Sequence, residues 1–462
     1  MNKSMIRYLL SKLLLIEAVL LLVPVSVAVY YRESSQVFTA LFSTIGILVL
    51  LGGSGILQKP KNQRIYAKEG ILIVALCWIL WSFFGGLPFV FAGQIPSVID
   101  AFFEISSGFT TTGATILNDV SVLSRSLLFW RSFTHLIGGM GVLVFALAIM
   151  DNAKNSHLEV MKAEVPGPVF GKVVSKLKNT AQILYLLYLA LFSLFVIIYY
   201  LAGMPLFDSF VIAHYGSSLI TYLVSIGVLV FGVNFNLYYY LMLRRVKAFF
   251  GDEELRAYLI IVLVSTGLIS LNTLYLYPGF SKSFEMAFFQ VSNIITTTGF
   301  GYGDITNWPL FSQFILLFLM GIGGSAGSTA GGLKVIRGLI LSKIAKNQIL
   351  SILSPHRVLT LHVNKTVIDK DTQHKILKYF VIYSMILLSL IFIVSLDSND
   401  FLVVTSAVFS CFNNIGPILG TTSSFSIFSP ISKILLSFAM IAGRLEIYPI
   451  LLLFMKRTWS KR

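Results

Sequence analysis

Ten stretches of this chain are long and apolar enough to cross a lipid bilayer as helices. They cover residues 8–31, 36–58, 70–92, 124–150, 179–203, 218–244, 255–279, 310–341, 375–396 and 431–455. In hydrocarbon every backbone N–H and C=O needs a partner within the protein, so such a chain must fold as packed helices. Charged residues make up 12% of the sequence, against about 25% in a soluble domain. The mean hydropathy is +0.83. The expected class is an all-α polytopic membrane protein. Cys77 and Cys411 both sit in apolar runs and offer neither a disulfide framework nor a paired metal-ligand spacing.

The net charge of +15 lies in the loops between apolar stretches. Bases follow the second, fourth, sixth, eighth and tenth stretches, and few occupy the alternate loops. That pattern explains the charge as membrane topology, not as a nucleic-acid surface, and it puts both termini in the cytoplasm. The apolar N-terminus lacks a small-residue cleavage site and is expected to remain as the first span. Glu17 lies within it, with no role assigned from sequence. The basic loops 154–178 and 343–375 are either a docking surface for a cytosolic partner or plain topology signals.

Three further apolar segments, Val98–Phe109, 284–294 and Phe401–Phe412, are too short to cross. Each follows a long stretch and precedes small and polar residues, the pattern expected of a re-entrant half-helix leading into an ion filter. The chain thus repeats a unit of helix, pore half-helix, filter and helix. Residues 1–69 hold two leading spans. Four units follow at 70–178, 179–254, 255–374 and 375–462, the first and third including cytoplasmic loops. The filter candidates are Thr111, Thr112 and Gly113 in the first unit, Thr297, Thr298 and Gly299 in the third, and Asn414, Ile415 and Gly416 in the fourth. A dehydrated potassium ion is held by backbone carbonyls, here those of Thr112, Thr298 and Ile415. A glycine beside them leaves the carbonyls free to turn inward. A plain helix-to-loop turn is the alternative at each position.

The second unit breaks the pattern. Leu206-Phe207-Asp208-Ser209-Phe210 opens like a pore helix, yet Ser217-Ser218-Leu219 already begins the next span. About 15 residues are missing relative to the sister units. Either Tyr215-Gly216 forms a vestigial filter or this quadrant has none. A deletion accounts for the gap, and so does a short unit whose quadrant is filled by other side chains.

Within the eighth stretch, residues 321–332 form a glycine-rich string that includes Gly323, Gly324, Ser325, Gly327, Ser328 and Gly331. No strand precedes it and no phosphate-binding Gly-Lys-Ser/Thr follows, which argues against a nucleotide site. The string breaks the helix at membrane depth, where it serves either as a gate below the filter or as a close-packing surface. Arg444 and Glu446 stand in the last apolar stretch. Arg444 is expected either in the ion path or paired with Glu446 or Glu104. His135 and Asn234 are expected to be packing groups. No residue pattern calls for a chemical step, so an enzyme is not expected.

The sequences TTTGAT, TTTGFGYGD, GGSAGSTAGGLKV and AGRLEIYP together resemble the Trk/Ktr/HKT superfamily of cation uptake proteins, most nearly its TrkH-type branch with two extra leading spans. The resemblance implies four repeats around one path and potassium selectivity set by Gly113, Gly299 and Gly416. It implies a gate made of the loop at 321–332 with Arg444. It also implies a homodimer in a bacterial inner membrane, seated on a cytosolic ring of TrkA-like nucleotide-binding subunits. Two alternatives to potassium uptake remain: a non-conducting subunit that only scaffolds this ring, and a sodium-permeable relative.

Overall fold

The computed structural model describes residues 2–57, 60, 67–139, 141, 177–211, 217–300, 303, 305–354, 359–364, 366–420 and 424–459. Among these, six helices are long and apolar enough to cross a membrane: Lys3–Tyr30, Ser35–Ile56, Lys68–Phe91, Ile183–Leu201, Glu253–Asn272 and Lys370–Val394. Their outward faces carry large apolar side chains such as Ile260, Leu263, Leu388 and Phe392, as expected where lipid is the solvent. The chain is an all-α polytopic membrane protein.

The sequence predicts unbroken helices at 218–244 and 431–455, and a break at the glycine-rich string within 310–341. The structure breaks all three. Ser218–Phe231 and Phe235–Met242 meet at 92°. Leu310–Ile322 ends at Gly323, which has a φ of 72°, and the next helix, Val335–Leu353, starts after Lys334 at 77°. Pro430–Arg444 and Tyr448–Phe454 are separated by Glu446 and Ile447, with φ of 56° and 70°. A left-handed residue cannot continue a right-handed helix, so the last two breaks end the i→i−4 ladder there, whereas the first turns at Asn234, whose ψ of 118° is extended. Of the fourth stretch, the helix Arg125–Gly139 is described, and residues 142–150 lie outside the described part.

The three short apolar segments are helices: Val98–Phe109, Phe280–Ile295 and Phe401–Phe412. The third-repeat helix begins four residues before the expected start. The amides that open the first and fourth are capped by Ser97 and Asp400, which satisfies donors no helix can satisfy internally. The first pore helix packs against Ala67–Phe91, Arg125–Gly139 and Pro430–Arg444. The two leading helices pack against each other and against Ala67–Phe91, outside the pore helices. Glu17 is fully buried there, its carboxyl facing Gly85 beside Ile105 and Phe109 of the first pore helix. Cys77 and Cys411 are buried.

Candidate functional site

Each described pore helix ends in the same way. The amides of Thr110, Thr111 and Thr112 donate to Ser106, Gly108 and Ser107. Those of Thr296, Thr297 and Thr298 donate to Ser292, Ile294 and Asn293, and those of Asn413, Asn414 and Ile415 to Phe409, Cys411 and Ser410. The third bond of each set reaches back five residues, which turns the chain sharply off the helix. Left-handed φ then alternates along each exit: 57° at Thr111 and 83° at Gly113, 53° at Thr297 and 82° at Gly299, 58° at Asn414 and 113° at Gly416. Asn is the non-glycine residue best suited to that region, so the divergent fourth segment keeps the backbone of its sisters.

The three exits meet. A Cβ on Gly299 would stand 2.2 Å from the Ile415 carbonyl oxygen and 2.7 Å from that of Thr112. One on Gly416 would stand 2.6 Å from the Thr112 oxygen, and one on Gly113 would be 3.3 Å from the Thr298 oxygen. The carbonyls of Thr112, Thr298 and Ile415 therefore lie close together, and at Gly299 and Gly416 no side chain larger than hydrogen fits beside them. Asn414 Nδ2 donates to Thr112 Oγ1 at 3.0 Å and to the Met440 carbonyl at 2.8 Å, which ties the first and fourth segments together.

The second repeat contributes the short helix Leu206–Val211, and its candidate residues Ala213, His214, Tyr215 and Gly216 lie outside the described residues. A cavity of about 940 Å³ adjoins the three segments, with Gly113, Thr297, Gly299 and Gly416 on one side and Phe192, Phe195, Tyr199 and Phe231 of the second repeat on the other. At its rim, hydrogen bonds from Ser121 hold the Asp119 carboxyl below the usual carboxylate range and keep it an anion there.

The glycine-rich loop lies against the ends of the filter segments. The Gly331 amide donates to Thr297 Oγ1 at 2.7 Å, and a Cβ on Gly331 would be 2.2 Å from the Asn413 carbonyl oxygen. The loop seats in the 92° bend of the second repeat: Ser325 N donates to Gly232 O at 3.0 Å and Phe235 N to Gly327 O at 3.1 Å. Asn234, expected to be a packing group, abuts Gly327. Gly323 and Gly324 form the loop's first turn, with the Gly324 carbonyl accepting from Val335 N at 3.0 Å. Ser328 Oγ donates to the Ser325 carbonyl at 2.6 Å within the loop.

Arg444 holds the loop from the fourth repeat. It donates to the Thr329 carbonyl at 2.6 Å and to the Gly138 and Gly139 carbonyls of the first repeat. The expected acid partners are engaged elsewhere: Glu104 with Arg131 at 2.6 Å, and Glu446 with Arg337. Backbone carbonyls reached Arg444 first because the loop and the Gly138–Gly139 helix end converge on it. The bend at 232–234, the threonine hydroxyl under the loop and Glu254 escaped the sequence reading; the isolated Gly232 and Asn234 in an apolar run were the available signal. His135 Nδ1 lies 2.9 Å from the Arg131 carbonyl oxygen, a contact within its own helix.

A family model described as a cation transport protein, TrkH, matches residues 34–214 and again 206–461. The two matches share 206–214, where the second pore helix opens. The chain is 31% identical over 464 residues to the Trk system potassium uptake protein TrkG of Escherichia coli K12, covering 95% of each. It is 31% identical over 485 residues to the Trk system potassium uptake protein TrkH of Vibrio parahaemolyticus, covering 99% of each. The crystal structure of the potassium transporter TrkH from Vibrio parahaemolyticus superposes with a TM-score of 0.88 at 29% identity, over the full length of both chains.

Proposed function

This chain belongs to the TrkH family of cation transport proteins, and from that premise we propose that it is the membrane subunit of a potassium uptake system. The observation that carries the reading is the meeting of three filter segments with one alternating backbone, Gly113, Gly299 and Gly416 at the centre. Carbonyls of Thr112, Thr298 and Ile415 replace the water shell of a potassium ion. Thr111, Thr297 and Asn414 supply the preceding step, and the glycines disfavour the sodium-permeable alternative. An inside-negative membrane potential drives entry with about 2.3 kcal/mol per charge per 100 mV. The loop with Gly323, Gly324, Ser325, Gly327, Ser328 and Gly331, held by Arg444, is the barrier on the cytoplasmic side. The working unit is a homodimer in a bacterial inner membrane, termini inside, on a TrkA-like nucleotide-binding ring; the repeat boundaries given above mark its parts.

Rubidium uptake by potassium-uptake-deficient cells, at verified membrane levels of the chain, tests this. Uptake above background supports it. A specific observation favours the second reading, a subunit that scaffolds the ring without conducting. The family match comes in two pieces that share 206–214, the stretch where the second unit is about 15 residues shorter than its sisters. Background uptake by a chain that still recruits its ring selects that reading.

A further inference from the structure

One buried carboxylate ties the glycine-rich loop to the helix that follows it. Glu254 is 4% exposed, and its Oε1 accepts from Ala326 N at 2.7 Å and from Ile336 N at 3.2 Å. Ala326 lies in the first half of the loop. Ile336 is in the first turn of Val335–Leu353, where amides lack an internal partner and an anion is favoured by the helix dipole. A single oxygen thus joins the first half of the loop to the start of the next helix. Neither bond involves a filter residue.

The two residues before Glu254 face the other way. Asn364, on the hairpin of His362–Val363 and Thr366–Val367, donates through Nδ2 to Asp252 Oδ2 at 2.6 Å. Its Oδ1 accepts from Glu253 N at 2.8 Å, and its own amide donates to Glu253 Oε1 at 3.1 Å. Lys343 pairs with the Glu253 carboxylate and donates to the His362 carbonyl at 2.7 Å. One turn of helix therefore holds the loop on one side and the hairpin on the other.

We propose that Glu254 is the positioning residue that latches the loop shut, and that the 362–367 hairpin is the handle that moves the latch through Asp252 and Glu253. The functional meaning rests on the loop being the barrier; the latch itself does not. Hydrogen exchange on the purified full chain reads the latch directly. Glu254→Ala speeds exchange of peptides covering 323–336 by about tenfold or more and leaves the pore helices unchanged. If that variant fails to accumulate, Glu254→Ser, too short to reach either amide, replaces it with the same expected outcome. Glu254→Gln keeps an acceptor oxygen and stays within about twofold of the parent. Asn364→Ala, which touches no loop residue, speeds loop exchange by a smaller factor.

Unchanged loop exchange in the Ala or Ser variant overturns the latch. So does faster exchange spread through the whole chain, or a Gln variant as fast as Ala. Unchanged loop exchange in Asn364→Ala overturns the handle. Faster loop exchange with no rise in rubidium uptake, in a version that conducts, instead sinks the reading of the loop as a barrier and leaves the latch standing.

Discussion

In the first repeat the chain leaving the pore helix is braced by an ion pair; in the third, by an amide. Glu104 takes Arg131 at 2.6 Å on one oxygen and, on the other, Thr115 Oγ1 and Ile116 N, each at 3.0 Å. Asn293 clasps the backbone of Phe300, accepting from its N–H at 2.8 Å and donating to its carbonyl at 2.7 Å. The fourth repeat uses hydroxyls: Ser410 Oγ accepts from Gly416 N at 2.8 Å, and Ser406 Oγ from Leu419 N at 2.9 Å. Three chemistries thus produce one backbone. What the repeats hold in common is a conformation, and each has its own means of enforcing it. In the second repeat the described helical residues at this point are Leu206–Val211, and 212–216 lie outside the described residues.

The largest test of that contrast is restoration. Replacing 206–216 with the pore segment 280–300 of the third repeat should raise rubidium uptake by about tenfold or more, worth 1.4 kcal/mol or more at the ion site. Uptake that stays at the parent level would show that the second quadrant is not what limits this protein. Next comes Gly299→Ala, which forces a methyl to within 2.2 Å of one carbonyl oxygen and 2.7 Å of another at a φ of 82°. Strain and overpacking together should cost about 2–5 kcal/mol. Gly113→Ala, whose nearest contact is 3.3 Å, should cost about 1–2 kcal/mol. Equal losses of heat stability in detergent for the two variants would mean the segments do not press on one another as described.

The braces can be ranked in the same assay. Glu104→Gln strands a mostly buried guanidinium and should destabilise by about 3–5 kcal/mol. Asn293→Ala removes both hydrogen bonds to the Phe300 backbone, for about 1–3 kcal/mol. Ser410→Ala removes one acceptor and should cost about 1 kcal/mol. A reversed order, with the hydroxyl brace mattering most, would place the weight of the assembly on the fourth repeat.

Much of this architecture was legible from residue order alone. The first and fourth pore helices run over the expected residues, because an apolar run bounded by a cap and a polar step leaves little choice in hydrocarbon. The glycine positions were legible because left-handed backbone favours glycine at the innermost step. The breaks at 232–234 and 445–447 were not. An apolar stretch has the same composition whether straight or bent, and nothing in it marks Glu446 and Ile447 for their left-handed φ.

The sequence by itself determined that this chain is a membrane protein, where its short non-spanning apolar helices run, and which glycines take a left-handed backbone just beyond them. These follow from local quantities: length, apolarity and the conformational freedom of single residues. Only the tertiary structure decided what Arg444 and Glu254 bind, because a charged side chain at membrane depth takes whichever backbone groups the fold leaves exposed to it. Those groups come from parts of the chain more than seventy residues away, and no local pattern records which of them meet the side chain.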